Sequence, residues 1–409
     1  MSHLYEPSKN IYDAFGRLKS SNPLTLFDSS HRYRDNDLWS TLVVGAGSTY
    51  SFNPHQGLVE LTVGTGATCQ IIRETTKVFA YQPGKGLSIN NTGIMNPPKP
   101  NLRQRIGYFG IDNGIYFEQD GDAVNIVERS ITSGIVSETR VPQTQWNVDT
   151  LTGVGVSNPT GIKLNISKAQ IFWTDIEWLG EGTVRAGFII DGKIIPAHYF
   201  HHANRIETTY MTTASLPIRY EITNVGVTTS SSTLKQVCST VISEGGYELR
   251  GLQQAVGTQI TTPVTMPVAG TLYPLISIRL KTTPNRMDAI VILTALSIMG
   301  ITNNSNYNWK VVSRGTTSGG TWIDTGNESS VEYNINGTLI TGGRILASGY
   351  FSASNQFNSN VDILKESLFK FQLERNTLNN TPFELTLAAV ASVTNSNIHC
   401  SLDWEEISR

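Results

Sequence analysis

At 409 residues the chain is long enough for two or three compact domains with separate cores. Its 31 Lys plus Arg nearly cancel its 33 Asp plus Glu, so no global field favours nucleic acid or an anionic membrane. Charged residues are only 16% of the chain, below the roughly 25% of ordinary soluble domains, a composition that strand-rich proteins and subunits burying surface in assemblies both tolerate, with assembly favoured.

Cys69, Cys238 and Cys400 are far apart and odd in number, so they make no complete disulfide framework and no C-x-x-C site. The N-terminus, M-S-H-L-Y-E-P-S-K, has no basic stretch followed by an apolar one, and no apolar run approaches a membrane span. The expectation is synthesis in a cytoplasm without export, and no membrane partner.

In chain order, residues 1–49 mix Pro, Asp, Asn and Ser with isolated large apolars and sustain no helical or strand period. They read as an extended N-terminal arm for assembly that docks Tyr12, Phe15, Leu18, Leu26, Phe27, Tyr33 and Trp39 on a partner. Strands follow at Leu58–Phe79, broken at Gly64-Thr65-Gly66, and at Arg103–Ser130, turned at Asp112-Asn113-Gly114 and Asp120-Gly121. The run Thr160–Phe200 alternates apolar and polar residues and turns at Gly180-Glu181-Gly182 and Asp191-Gly192. One face of its first strand carries Phe172, Ile176 and Trp178 for a core. The other carries Trp173, Asp175 and Glu177.

Strands of this length joined by hairpins imply two packed sheets. Residues 50–225 are therefore expected to form a jelly-roll-like antiparallel β-sandwich. Residues 226–270, rich in Ser, Gln, Thr, Pro and Gly, read as a linker or long connection. From 271 to 409 further strands make a second β-rich domain, with one brief helical stretch at 362–367. The fold class is all-β.

The segment D-I-E-W-L-G, Asp175–Gly180, resembles the E-x-D-x-E-F/W-L-G strand of lichenase and laminarinase-type jelly-roll glycoside hydrolases. In that motif the first Glu is the nucleophile, the Asp supports it and the last Glu is the acid/base. Trp173 stands at the nucleophile position here. Retaining hydrolysis needs two carboxyls about 5–5.5 Å apart, whereas Asp175 and Glu177, two apart on one strand, lie roughly 7 Å apart by strand rise. No catalytic residue is assigned. Trp173, Asp175 and Glu177 remain candidates for holding a glycan on an exposed face.

His198, His201 and His202 near Glu207 do not converge on a regular strand, where His198 and His202 share a face and His201 points away. No metal or cofactor is expected. Arg103 and Arg105, near Tyr108 and Phe109, lack a wider basic groove for nucleic acid and read as ion-pairing groups.

Five strings stand out: F-G-R-L-K-S-S-N-P-L-T-L-F-D-S at Phe15–Ser29, Y-Q-P-G-K at Tyr81–Lys85, R-Q-R-I-G-Y-F at Arg103–Phe109, W-L-G-E-G-T-V-R-A-G-F at Trp178–Phe188 and I-D-G-K-I at Ile190–Ile194. Together they resemble a family of bacteriophage virion structural proteins, frequent in aquatic phages including cyanophages. The likeness covers about the first half of the chain. It implies a non-enzymatic virion component (tail fibre, baseplate or head decoration) with other virion proteins as partners and a homo-oligomeric state, a trimer by analogy. The alternative is a glycan-binding module for host recognition on the virion surface.

Overall fold

The computed structural model describes residues 21–248, 250–353 and 371–407. The expectations for Tyr12, Phe15, Leu18 and the helical stretch at 362–367 lie outside these residues. Apart from a 3-10 turn at Gln143–Gln145, every named element among the described residues is a strand.

Two antiparallel sheets form a jelly-roll-like sandwich. One runs in the order Lys193–Phe200, Val184–Ile190, Gln170–Ile176, Leu87–Ile94, Ser232–Ser243, Leu58–Val63 and Thr49–Asn53, with Leu24–Ser30 also paired to Ser232–Ser243. The other runs Ser137–Pro142, Ala123–Ser130, Gly114–Asp120, Leu102–Phe109, Ile218–Asn224, Gln70–Thr75 and Trp39–Val44. The chain crosses repeatedly between the sheets, so most neighbours are distant in sequence.

Alternation fixes which side chains meet between them. Phe172 and Phe188 from the first sheet face Phe117 from the second, at ring-centroid distances of 5.7 and 5.2 Å. The Tyr220 hydroxyl crosses the core to Ser239 Oγ at 2.9 Å and donates to Thr92 O at 3.1 Å, so its buried polar end is satisfied. Asp191 and Gly192, with φ of 51° and 73°, take the left-handed geometry of a tight hairpin between Val184–Ile190 and Lys193–Phe200.

The expected arm is corrected from residue 24 onward. Leu24–Ser30 and Trp39–Val44 are sandwich strands, and Leu26, Phe27 and Trp39 are buried in this chain's own core. A register shift between Thr25 and Phe27 turns two consecutive apolar residues inward, which erases the alternation in the sequence. Of the arm residues described, Tyr33 alone projects outward, 85% exposed.

The boundary at 225 also moves. Ser232–Ser243, expected in a linker, lies inside the first sheet between Leu58–Val63 and Leu87–Ile94. Its buried positions include Ser232, Gln236, Ser239 and Ser243, so its inward face carries little apolar signal. Gln236 accepts from the buried Arg73 Nε at 2.6 Å.

The second β-module holds a six-stranded sheet, Ile323–Asp324, Val331–Asn334, Leu272–Leu280, Glu384–Ala391, Asn306–Ser318 and Leu339–Ser352. Its other sheet pairs Ser396–Ile407 with Leu252–Gly257, Val264–Met266 and Ile290–Gly300. Two strands expected in the linker thus belong to this module. Its core surrounds the buried Trp404.

The modules share a joint. Arg375 N donates to Thr76 O at 2.9 Å, Gln372 Nε2 donates to Val78 O at 2.9 Å, and Val78 and Ala80 pack with Ile290 and Ile292. Glu374, buried between them, pairs with Arg314, with Arg344 at 3.4 Å and with Lys77 at 4.0 Å.

Candidate functional site

The strand Gln170–Ile176 lies between Leu87–Ile94 and Val184–Ile190, which sets Trp173 beside Asn90 and Gly187, and Asp175 beside Ser88 and Arg185. These residues occupy the face away from the core, as the alternation requires. Their exposure differs from expectation. Trp173 is 6% exposed and Asp175 is 2% exposed, while Glu177, just past the strand end, is exposed.

Local chemistry explains the burial. The Trp173 indole N–H donates to Ser88 Oγ at 3.2 Å, and the Arg185 guanidinium sits 5.9 Å from the indole centroid. Arg185 also pairs with Asp175 Oδ2. The turn at Gly86 brings Glu244 close to Asp175: a Cβ at Gly86 would stand 2.9 Å from Glu244 Oε2 and 3.6 Å from Asp175 Oδ1. The cover therefore comes partly from the hairpin partner Arg185 and partly from Ser88, Gly86 and Glu244, far away in sequence.

Burial pushes the Asp175 carboxyl up; Arg185 holds it down, Glu244 and Glu177 push it further, and it settles at about 6. The folded state then keeps a proton that the unfolded chain has released between about pH 4 and 6, so this group removes stability as pH rises through that window. Asp175→Asn should abolish that loss, worth up to about 3 kcal/mol above pH 6.5. Urea unfolding at pH 4.5 and pH 7 checks it: the variant's advantage over the natural protein grows with pH.

Beside Trp173 the same face carries a shallow groove of about 240 Å³ lined by Asp28, Asn90, Thr92, Cys238 and Thr240 among others. It is rich in hydroxyl and amide groups. Sequence reasoning missed it because three separate strands supply its walls, one of them assigned to the arm and one to the linker.

The three histidines separate. His198 is buried edge-on to Phe200, its Nδ1 accepts from Asn147 N at 3.3 Å, and burial, then His201, lowers its pKa to about 4. His202 stacks on Tyr210 at 3.9 Å, and its ring nitrogens reach Gly182 O at 2.6 Å and Glu128 Oε2 at 2.8 Å. His201 is exposed. Among the described residues no group of three or more His, Cys, Asp or Glu side chains is placed to hold a metal ion.

Arg105 lies on the outer face of the second sheet. It pairs with Glu118 at 2.7 Å, Glu221 at 3.4 Å and Glu138 at 3.5 Å, its guanidinium 5.1 Å from the Tyr116 ring centroid. Arg129 pairs with Glu138 at 2.5 Å. Burial opposes the Glu138 charge, but the Tyr116 hydroxyl and Arg129 hold its pKa down to about 2. This lattice closes over its own aromatics.

No family model matches the chain, and no curated protein matches it. Solved structures with similar folds include a Bacillus licheniformis β-glucanase (11% identity, TM-score 0.34, covering 55% of this chain and 99% of that one). A Bacteroides ovatus mixed-linkage glucan GH16 protein gives 11% identity and a TM-score of 0.36, covering 53% and 99%. A carbohydrate esterase from the Shiga toxin-encoding bacteriophage phi24B gives 11% and 0.31, covering 55% and 100%. At these scores the likeness carries no argument about activity.

Proposed function

We propose that this chain is a non-enzymatic structural subunit of a bacteriophage particle, made in the host cytoplasm and assembled with other virion proteins as a homo-oligomer. The observation that carries the non-enzymatic part is the fate of the strand Gln170–Ile176. The position a retaining nucleophile would need holds a buried Trp173, hydrogen-bonded to Ser88, and the neighbouring Asp175 is tied to Arg185. The strand serves as a wall of the sandwich. The resemblance of the first half of the chain to phage structural proteins supports the virion role.

Antibody to this chain should label purified particles in negative-stain images at a fixed site; unlabelled particles would overturn the reading. Restoring a carboxylate at the nucleophile position should not create activity. Neither the natural protein nor Trp173→Glu is expected to release reducing ends from host-surface polysaccharides, and release that disappears in Glu177→Gln would show an enzyme.

The groove of hydroxyl and amide groups beside Trp173 favours a second reading, a glycan-binding module for host recognition. The burial of Trp173 moves the expected sugar contacts from its ring to Asn90, Thr92 and Thr240. Binding on a glycan array that Asn90→Ala removes would support it, and silence across host polysaccharides would leave plain structure.

A further inference from the structure

At the joint between the two β-modules lies an open cavity of about 540 Å³, walled by Glu74, Ser215 and Arg219 of the sandwich and by Asn285, Arg375, Thr377 and Asn380 of the second module, among others. Its size falls within the range of small-molecule sites. Arg375 is 1% exposed, anchored by its backbone N–H to Thr76 O, yet among the described residues its Nη1 and Nη2 have no hydrogen-bond partner.

The nearby carboxylates are already engaged. Glu74 Oε2 accepts from Arg219 Nε at 2.6 Å, and Glu74 Oε1 accepts from the Thr377 hydroxyl. Glu374 serves Arg314, Arg344 and Lys77. Asp112 and Asp288 also line the cavity, but Asp112 is exposed and Asp288 half-buried. Burial lowers the Arg375 pKa to about 10 while Glu74 and Glu374 raise it, so the guanidinium stays charged at neutral pH. A buried, charged fork without acceptors is costly, and an oxyanion is the group that matches it in pairs.

We propose that this cavity is a binding site for a small carboxylated or phosphorylated molecule, up to the size of an acidic monosaccharide. Its anionic group docks on the Arg375 fork, and its hydroxyls meet the exposed amides of Asn285 and Asn380 at the mouth. Because the walls come from both modules, the ligand stiffens the joint. The site is independent of the particle role and of the groove beside Trp173.

The test is thermal unfolding of the full chain, dialysed into a zwitterionic buffer, with glucuronate, inorganic phosphate or glucose against sodium chloride of matched ionic strength. Glucuronate should raise Tm saturably by several degrees beyond the salt control, and glucose should not. A phosphate shift equal to that of glucuronate marks a general oxyanion site; a shift with glucuronate alone marks a sugar-acid site. Arg375→Met should remove the response while melting at or above the natural protein without ligand, because it deletes an unpaired buried charge. Arg375→Lys keeps the charge but loses the fork, and should bind about tenfold more weakly. No oxyanion shift beyond salt, an Arg375→Met response like the natural protein's, or unchanged affinity in Arg375→Lys would overturn the proposal.

Discussion

Glu374→Ala should weaken the coupling between the two β-modules. This carboxylate is buried at the joint and neutralises Arg314 and Arg344 directly, with Lys77 at 4.0 Å. Lys77 shows how finely the joint is poised: burial lowers its pKa, Glu374 raises it, and Arg344, Arg314 and Arg375 lower it again. Without Glu374 those cations repel each other with only the exposed Asp37 carboxylate, 3.5 Å from Arg344, left to offset them, a loss of about 3 kcal/mol or more by the usual cost of breaking a buried pair. The bonds from Arg375 N to Thr76 O, Gln372 to Val78 O, Arg314 to Thr76 Oγ1 and Thr377 to Glu74, with the small apolar contact of Val78 and Ile290, remain, so the joint is loosened but not lost. Calorimetry should show the transition splitting or broadening, with the earlier component moved down by several degrees. An unchanged thermogram would show that the modules are not coupled through this contact.

Phe188→Ala should be the most damaging change within the sandwich. Its ring is fully buried and meets Phe117 at 5.2 Å, Phe172 at 5.8 Å and Trp146 at 6.1 Å, so it contacts both sheets and the 3-10 turn region. Those rings belong to three other segments, and the surroundings cannot collapse into the hole without moving a strand of each sheet. A loss of about 3–5 kcal/mol is expected, which for a module of this size lowers its Tm by about 10 °C. Joined to Glu374→Ala, it should lower the sandwich transition and leave that of the second module in place, since the core around Trp404 is separate. Differential scanning calorimetry of the single and double variants reads both effects.

The parts of this architecture that were legible in sequence are those built from local pairings. Thr160–Phe200 announced its strands through alternation, and Asp191-Gly192 announced the hairpin through turn chemistry. Phe172 and Ile176 were placed on the core face correctly. Long-range pairings were not legible. Leu24–Ser30 finds its partner in Ser232–Ser243, more than two hundred residues away, and a register shift in one and polar inward residues in the other hide both from periodicity.

The candidate site shows the same division. Which face Trp173 and Asp175 occupy follows from counting by twos, and Arg185 follows from the local hairpin, but the rest of their cover comes from Ser88, Gly86 and Glu244, whose approach no local pattern encodes. Arg375 gave no signal either: a single arginine in R-N-T-L-N-N becomes notable only when the second module presses it against Thr76.

The virion role rests most directly on whether the chain is a fixed part of the particle. Quantitative mass spectrometry of gradient-purified particles, calibrated against a major head protein, measures this. The expected result is a constant copy number per particle, a multiple of the subunits in one oligomer, that survives repeated purification. Copies that fall away with each gradient step while the protein stays in the lysate would contradict it.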